Sequence, residues 1–308
     1  MTNSLPGNSY AINMNCYTWG RFDLAECLAQ IRQTPIRTVE LPAEQVRPNS
    51  LVPELMFDAP LGGEWRYSLP DLRQLLAQDG FMVDSLDVFG YTGYPGAAEF
   101  IKRRIDLAEA LEAGIIVLGC HHKALGHKPG EPAGQESQEG KEARYFAYAM
   151  LREVADYAAD RGVELALEIH AGVMENTAEA LRTLEEVNRE NLGVNFDTAN
   201  ILYYNETLDA AGGAEALATL ADRVFHVHLK DIVRGKTRQE HVLPRLGEGE
   251  VDFRKVFEIL HAVGFYGPFS FEVETFHGAT ETDDISEYHA DVVASIEYIR
   301  SLGEFPGD

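Results

Sequence analysis

Strand-like and helix-like segments alternate eight times along this chain, and few folds accept that order. β-Branched or alternating apolar runs predict strands at 11–19, 37–42, 82–90, 115–120, 163–170, 192–200, 224–232 and 267–274. Amphipathic spacing predicts helices at 23–33, 69–80, 97–114, 142–162, 177–188, near 208–222, 252–264 and 284–302. Strict alternation implies parallel strands joined by helical crossovers. Eight such units in 308 residues predict one (β/α)8 barrel domain over 1–308, with 1–10 as an N-terminal tail and 43–68 and 121–141 as long loops. The competing fold is a doubly wound open sheet. It calls for a glycine-rich phosphate loop after the first strand, where NCYTWGRFD offers only Gly20; the GEGE at 247–250 follows no predicted strand.

Charge narrows the partners. Lys and Arg total 26 against 50 Asp and Glu, a formal net charge of −24. Such a surface repels phosphate backbones and anionic headgroups, so neither nucleic acid nor a membrane is expected as a partner. No apolar run approaches the roughly 20 residues of a membrane helix. The segment MTNSLPGNSY has neither the basic nor the apolar region of a signal peptide. Three cysteines, Cys16, Cys27 and Cys120, form no CxxC pair; their sparse, odd count fits small buried hydrophobes in a reducing cytoplasm.

In a barrel of this kind functional groups gather at the C-terminal ends of the strands, and residues two apart share a face. On that parity Glu168 pairs with His170 on strand five, and Asn195 with Asp197 on strand six. Strand seven aligns His226, His228 and Lys230, and strand eight aligns Ser270, Glu272 and Glu274. Taken alone, His226 reads as a hydrogen-bonded core histidine and each Glu as a rim charge. Four consecutive strands that each deliver an ionisable group to one end point further. Several buried carboxylates need a counter-charge, and a divalent cation supplies it. One imidazole with carboxylates suits Mn2+, Mg2+ or Co2+ better than structural zinc, with Zn2+ as an alternative. Parity leaves Glu272 and Glu274 equivalent. His122, in the HH pair at 121–122, is a candidate substrate contact in a loop on the same face.

The segments ALE-x-H, FDTAN, HVHLKD and FSFEVE, in this order, resemble the xylose isomerase-like TIM barrel superfamily. More narrowly they resemble its sugar phosphate isomerase/epimerase branch, with the ketose 3-epimerases and inosose-processing enzymes. The likeness is strongest over about 160–275. It implies one divalent metal held by Glu168, Asp197, His228 and Glu272, with Glu168 and Glu272 also the catalytic acid/base pair. It implies substrate contacts from His170 and from Arg234, six residues after the metal histidine. Lys230, on the metal histidine's face towards the rim, Glu274, higher in the loop region, and Asn200, three residues after the metal aspartate, complete the expected substrate shell. The chain departs from the epimerase pattern at Asn200, where those enzymes carry His, and in the LKDIV between His228 and Arg234. The implied partner is a small sugar or polyol, and the implied assembly a homo-oligomer, dimer or tetramer.

The reaction this resemblance implies is proton transfer beside a carbonyl by an isomerase or epimerase. The metal chelates the carbonyl and an adjacent hydroxyl, and the resulting metal-bound enediolate is served by one glutamate as base. A lyase that dehydrates a keto-inositol or keto-sugar is the alternative on the same scaffold. An apurinic endonuclease needs more His and Glu ligands and a basic groove, which the net charge opposes. A non-catalytic binding protein leaves the four-strand set unexplained.

Overall fold

The computed structural model describes residues 7–17, 22–42, 67–91, 96–121, 125, 137–275 and 282–305. The expected loop at 43–68 lies almost wholly outside these residues, as do His122 and most of 121–141. Eight strands close a parallel barrel in sequence order: β1 (Tyr10–Asn13), β2 (Thr38–Pro42), β3 (Met82–Tyr91), β4 (Ile115–His121), β5 (Glu164–Glu168), β6 (Leu192–Asp197), β7 (Val224–Leu229) and β8 (Phe269–Phe271). β8 pairs with β1, so the barrel has no edge.

The described helices are α1 (Leu24–Ile31), α2 (Leu69–Asp79), α3 (Ala97–Leu111), α4 (Gln138–Ala159), α5 (Thr177–Val187), α6 (Asn200–Tyr204), α7 (Ala210–Leu220), α8 (Phe253–Ala262) and α9 (Ile285–Ser301). Their starts are written in the sequence. Asp23 and Glu26 form a capping box on α1, and Ser68, Ser137, Asn176, Asp209, Asp252 and Asp284 cap later helices through their side-chain oxygens. Ser137 starts α4 four residues before the predicted boundary, so residues 138–141 are helix rather than loop. β1 also differs from the expected 11–19. It begins at Tyr10, inside the expected tail, and gives way after Asn13 to a 3-10 turn, Met14–Tyr17, because the Asn13 side chain accepts the Asn15 N–H at 2.7 Å. α6 was not expected. It follows β6 directly because Asp197 Oδ1 accepts from the N–H groups of Ala199 and Asn200 at 2.9 and 2.8 Å.

Two interruptions of register decide what fills the barrel. Between β6 and β7 the pairing steps from Val194–Val224 to Asn195–His226, leaving Phe225 as an extra residue. Between β2 and β3 it steps from Val39–Val83 to Glu40–Ser85, leaving Asp84 extra. A bulge of this kind lets neighbouring residues reach the same side of a sheet. Phe225 packs on Ile115, Val117 and Ala166 as an apolar floor, while its neighbour His226 also enters the interior. Gly193 is required beneath it: a Cβ there would fall 2.5 Å from the Phe225 ring. Above the floor lies a polar layer of buried Glu40, Ser85, Asn195, His226 and Ser270. Gly193→Ala is therefore expected to overpack the floor and lower stability by about 1–3 kcal/mol. Urea unfolding followed by circular dichroism reads the loss, and Phe225→Leu in the same chain should recover part of it.

Candidate metal centre and substrate cavity

Glu168, Asp197, His228 and Glu272 meet above the polar layer, each offering a ligand atom within 4.8 Å of the others. Two bonds of about 2.0–2.6 Å to one cation span that distance. His228 Nδ1 lies 3.0 Å from Glu272 Oε2, 3.6 Å from Glu168 Oε1 and 3.9 Å from Asp197 Oδ2. Three of these atoms, His228 Nδ1, Asp197 Oδ2 and Glu272 Oε2, are buried without a hydrogen-bond partner of acceptable geometry. Lys230 Nζ contacts the two carboxylates at 3.4 and 2.9 Å as an ion pair only. Other buried polar atoms among the described residues also lack a hydrogen bond, but these three converge on one point, and that convergence of ligand atoms fits a divalent cation held between them. The donor set is one imidazole and three carboxylates, with Glu272 rather than Glu274 in the cluster. Glu274 turns to Lys230 at 2.8 Å.

Charge and tautomer agree with that geometry. Burial pushes Glu168 and Asp197 above the usual carboxylate range, Asp197 to about 7. Burial pushes Glu272 up too, but Lys230 and His228 outweigh it and hold it well below. His228 is opposed by burial, yet Glu272 and Glu40 hold its proton on. A proton on His228 and a divalent cation beside it are alternative ways of balancing the same carboxylates. The other ring nitrogen is fixed. His228 Nε2 donates to Glu40 at 3.1 and 3.2 Å, which leaves Nδ1 to face the cluster. Below it, His226 is held neutral by burial, its pKa lowered to about 4, between Ser85 and Asn195.

A cavity of about 570 Å3 opens above the cluster. Glu168, His170, Asn200, Lys230, Glu272 and Glu274 all line it. Asn200 donates to Glu168 Oε1 at 3.3 Å. His170 Nδ1 accepts the Ala171 N–H, so its Nε2 meets the Tyr204 hydroxyl as donor, at 3.0 Å. Among the expected substrate contacts that the structure describes, Arg234 is the one that does not line the cavity. Its guanidinium pairs with Glu250 at 2.8 Å and bonds Leu208 O, and Arg238 reaches the cavity instead. The Asp231 carboxylate holds this loop by accepting the N–H groups of Ile232, Gly247, Gly249 and Val251. The GEGE run thus wraps a carboxylate of its own chain; a Cβ on Gly249 would lie 2.2 Å from Asp231 Oδ1.

Several residues of the site were not singled out from sequence. Glu40 is one, although a glutamate between Val39 and Leu41 in an apolar strand is a signal. Asp87, in the strand SLDVF, is another. Asn15 sits on the 3-10 turn and donates to Asp87 Oδ2 at 2.9 Å and to Glu272 Oε1 at 3.3 Å. Tyr203 and Tyr204 arrive with the unexpected α6.

Two expectations follow. His228→Ala should abolish stoichiometric divalent metal in the purified protein, measured by plasma mass spectrometry; wild-type content in this variant would remove His228 from the ligand set. Glu40→Gln, which keeps the shape but weakens the acceptor behind His228, should lower metal affinity about 10–100-fold by calorimetric titration.

A family model described as xylose isomerase-like TIM barrel matches residues 28–302. Among curated proteins the chain is 32% identical over 178 residues to an L-ribulose 3-epimerase of Methylomonas sp. (strain DH-1), 56% of this chain and 54% of that protein. It is 30% identical over 138 residues to an inosose dehydratase of Geobacillus thermodenitrificans (strain NG80-2), 40% of this chain and 45% of that protein. The chain thus spans about half the length of the curated relatives it matches. Among solved structures, a D-allulose 3-epimerase from Methylomonas sp. in complex with D-allulose superposes with a TM-score of 0.66 at 21% identity, covering 97% of this chain and 99% of the other. The IOLI protein with a bound zinc atom gives 0.70 at 16%, covering 97% and 100%. At these identities the structural likeness concerns the fold.

Proposed function

This chain belongs to the xylose isomerase-like TIM barrel family, and from that premise we propose that it is a divalent-metal-dependent sugar epimerase or isomerase. The observation that carries the reading is the pair Glu168 and Glu272, brought to one cavity from β5 and β8 beside three buried unpartnered ligand atoms. Glu168, Asp197, His228 and Glu272 would hold the metal. When bound, a divalent cation supplies Lewis-acid polarisation of a carbonyl and a template for its neighbouring hydroxyl. The acid/base work belongs to the two glutamates. One removes the proton from the carbon beside the carbonyl, and the other returns a proton to the opposite face. Asn200 positions Glu168, and Asn15 with Lys230 positions Glu272, so each carboxylate is aimed before substrate arrives. His170, braced by Tyr204, lies at the cavity wall to meet a substrate hydroxyl. The epimerase relatives support this reaction class, and the negative charge of the chain opposes the endonuclease chemistry.

The inosose dehydratase relatives favour a second reading, a lyase that loses a β-hydroxyl. Lys230, held by Asp197, Glu272 and Glu274, or His170 would then supply the acid to a leaving hydroxyl. Incubation with ketoses and keto-inositols in D2O separates the two. Epimerisation leaves one non-exchangeable deuterium on a carbon beside the carbonyl with no loss of water. A product lighter by one water, with no isomeric sugar formed, makes the chain a lyase.

A further inference from the structure

We propose that the outer half of the cavity is a stacking subsite for a second, uncharged ring. The substrate is then a keto-sugar that still carries a glycosidic substituent rather than a free ketose. The inference rests on the reading above that the reacting ring lies at Glu168 and Glu272. Its own basis is a wall of rings leading away from them. His170 contacts Tyr204 with ring centroids 4.7 Å apart, Tyr204 meets Tyr203 edge-on at 5.0 Å, and Tyr203 meets His241 edge-on at 5.2 Å. All four line the cavity, followed by Val242 and Leu243. Val242 is 55% exposed, an apolar side chain kept at the mouth. Aromatic faces with polar edges are surfaces on which the C–H faces of a sugar or a phenyl ring stack.

Size points the same way. At about 30 Å3 per water, 570 Å3 is the room of roughly nineteen waters, whereas a free hexose brings only about twelve non-hydrogen atoms, bonded closer than waters sit. The wall is also held before any ligand binds. Val233 and Val242 exchange backbone hydrogen bonds at 2.8 and 2.9 Å, His241 Nδ1 accepts the Gly235 N–H, and Asp231 gathers the far end of the loop. Preorganised rings lose little freedom on binding.

Charge argues against a phosphate in this half. The described cations of the lining are Lys230 and Arg238. Lys230 is shared by three carboxylates. Arg238 stands over the Tyr204 ring at 5.4 Å, donates to Tyr204 O at 3.1 Å and faces Glu206 at 3.5 Å. It braces the aromatic wall, and Glu274 adds a further carboxylate to the same lining.

The test is calorimetric titration of the Mn2+-loaded protein with four probes: D-fructose, D-fructose 6-phosphate, and the methyl and phenyl 3-keto-β-D-glucopyranosides. The phenyl glycoside should bind roughly five-fold more tightly than the methyl one, the scale of one aromatic contact. Tyr203→Ala should erase that difference, and Tyr203→Phe should keep it. Equal binding of the two glycosides, tightest binding of D-fructose 6-phosphate, or binding of none of the four overturns the subsite. Deuterium incorporation with the same probes is read separately. Phenyl preference without isotope exchange keeps the subsite and removes the isomerase reading. Exchange into D-fructose without phenyl preference does the reverse.

Discussion

Four carboxylates, Glu40, Glu168, Asp197 and Glu272, are buried around the imidazole of His228 and the ammonium of Lys230. In a low-dielectric interior such a group of like charges is costly unless counter-charges stand among them. The upper barrel is built to supply that balance. Lys230 divides itself among Asp197, Glu272 and Glu274, Asp197 is capped by the start of α6, and Glu40 is set behind His228. Among the four clustered ligand residues, His228 Nδ1, Asp197 Oδ2 and Glu272 Oε2 are left without a hydrogen bond and face one another. Three such atoms facing one another suit a divalent cation, and on the proposed reading the same arrangement orients Glu168 and Glu272 for proton transfer.

The barrel below serves this site by being layered. An apolar floor built on Phe225 lies beneath, and the neutral His226 with Ser85 and Asn195 forms a hydrogen-bonded middle. Both layers depend on bulges that let consecutive residues, Phe225 with His226 and Asp84 with Ser85, approach the interior together. Above the cluster the polar chemistry yields to rings. The chemistry therefore changes with height, from apolar through hydrogen-bonded and ionic to aromatic, and each layer is set by which residue the strand or loop presents there.

Much of this was legible in the chain. The eightfold alternation is a local property, since each segment carries its own hydrophobic period and its own caps, and it specifies the parallel barrel. Strand parity is equally local. It places Glu168, Asp197, His228 and Glu272 on shared faces, and the structure brings these four together. Proximity in space was not legible for residues whose partners lie across the barrel. Glu40 meets His228 from 188 positions away and Asn15 meets Glu272 from 257, and nothing near either residue announces the pairing. Arg234 shows the converse: the resemblance implied a substrate contact from its offset after His228, while the fold pairs it with Glu250 outside the cavity lining, which Arg238 reaches.

The sequence by itself determined the barrel, the end of the barrel that bears the chemistry, and the residue types gathered there, because period and parity are properties of a few consecutive residues. Only the tertiary structure set Glu272 in the cluster and Glu274 against Lys230, fixed which nitrogen of His228 faces the cluster, and laid Tyr203, Tyr204 and His241 into one wall. Those outcomes depend on bulges, loop packing and cross-barrel hydrogen bonds. Such features arise where distant segments compete for the same space, and no local pattern records which of them prevails.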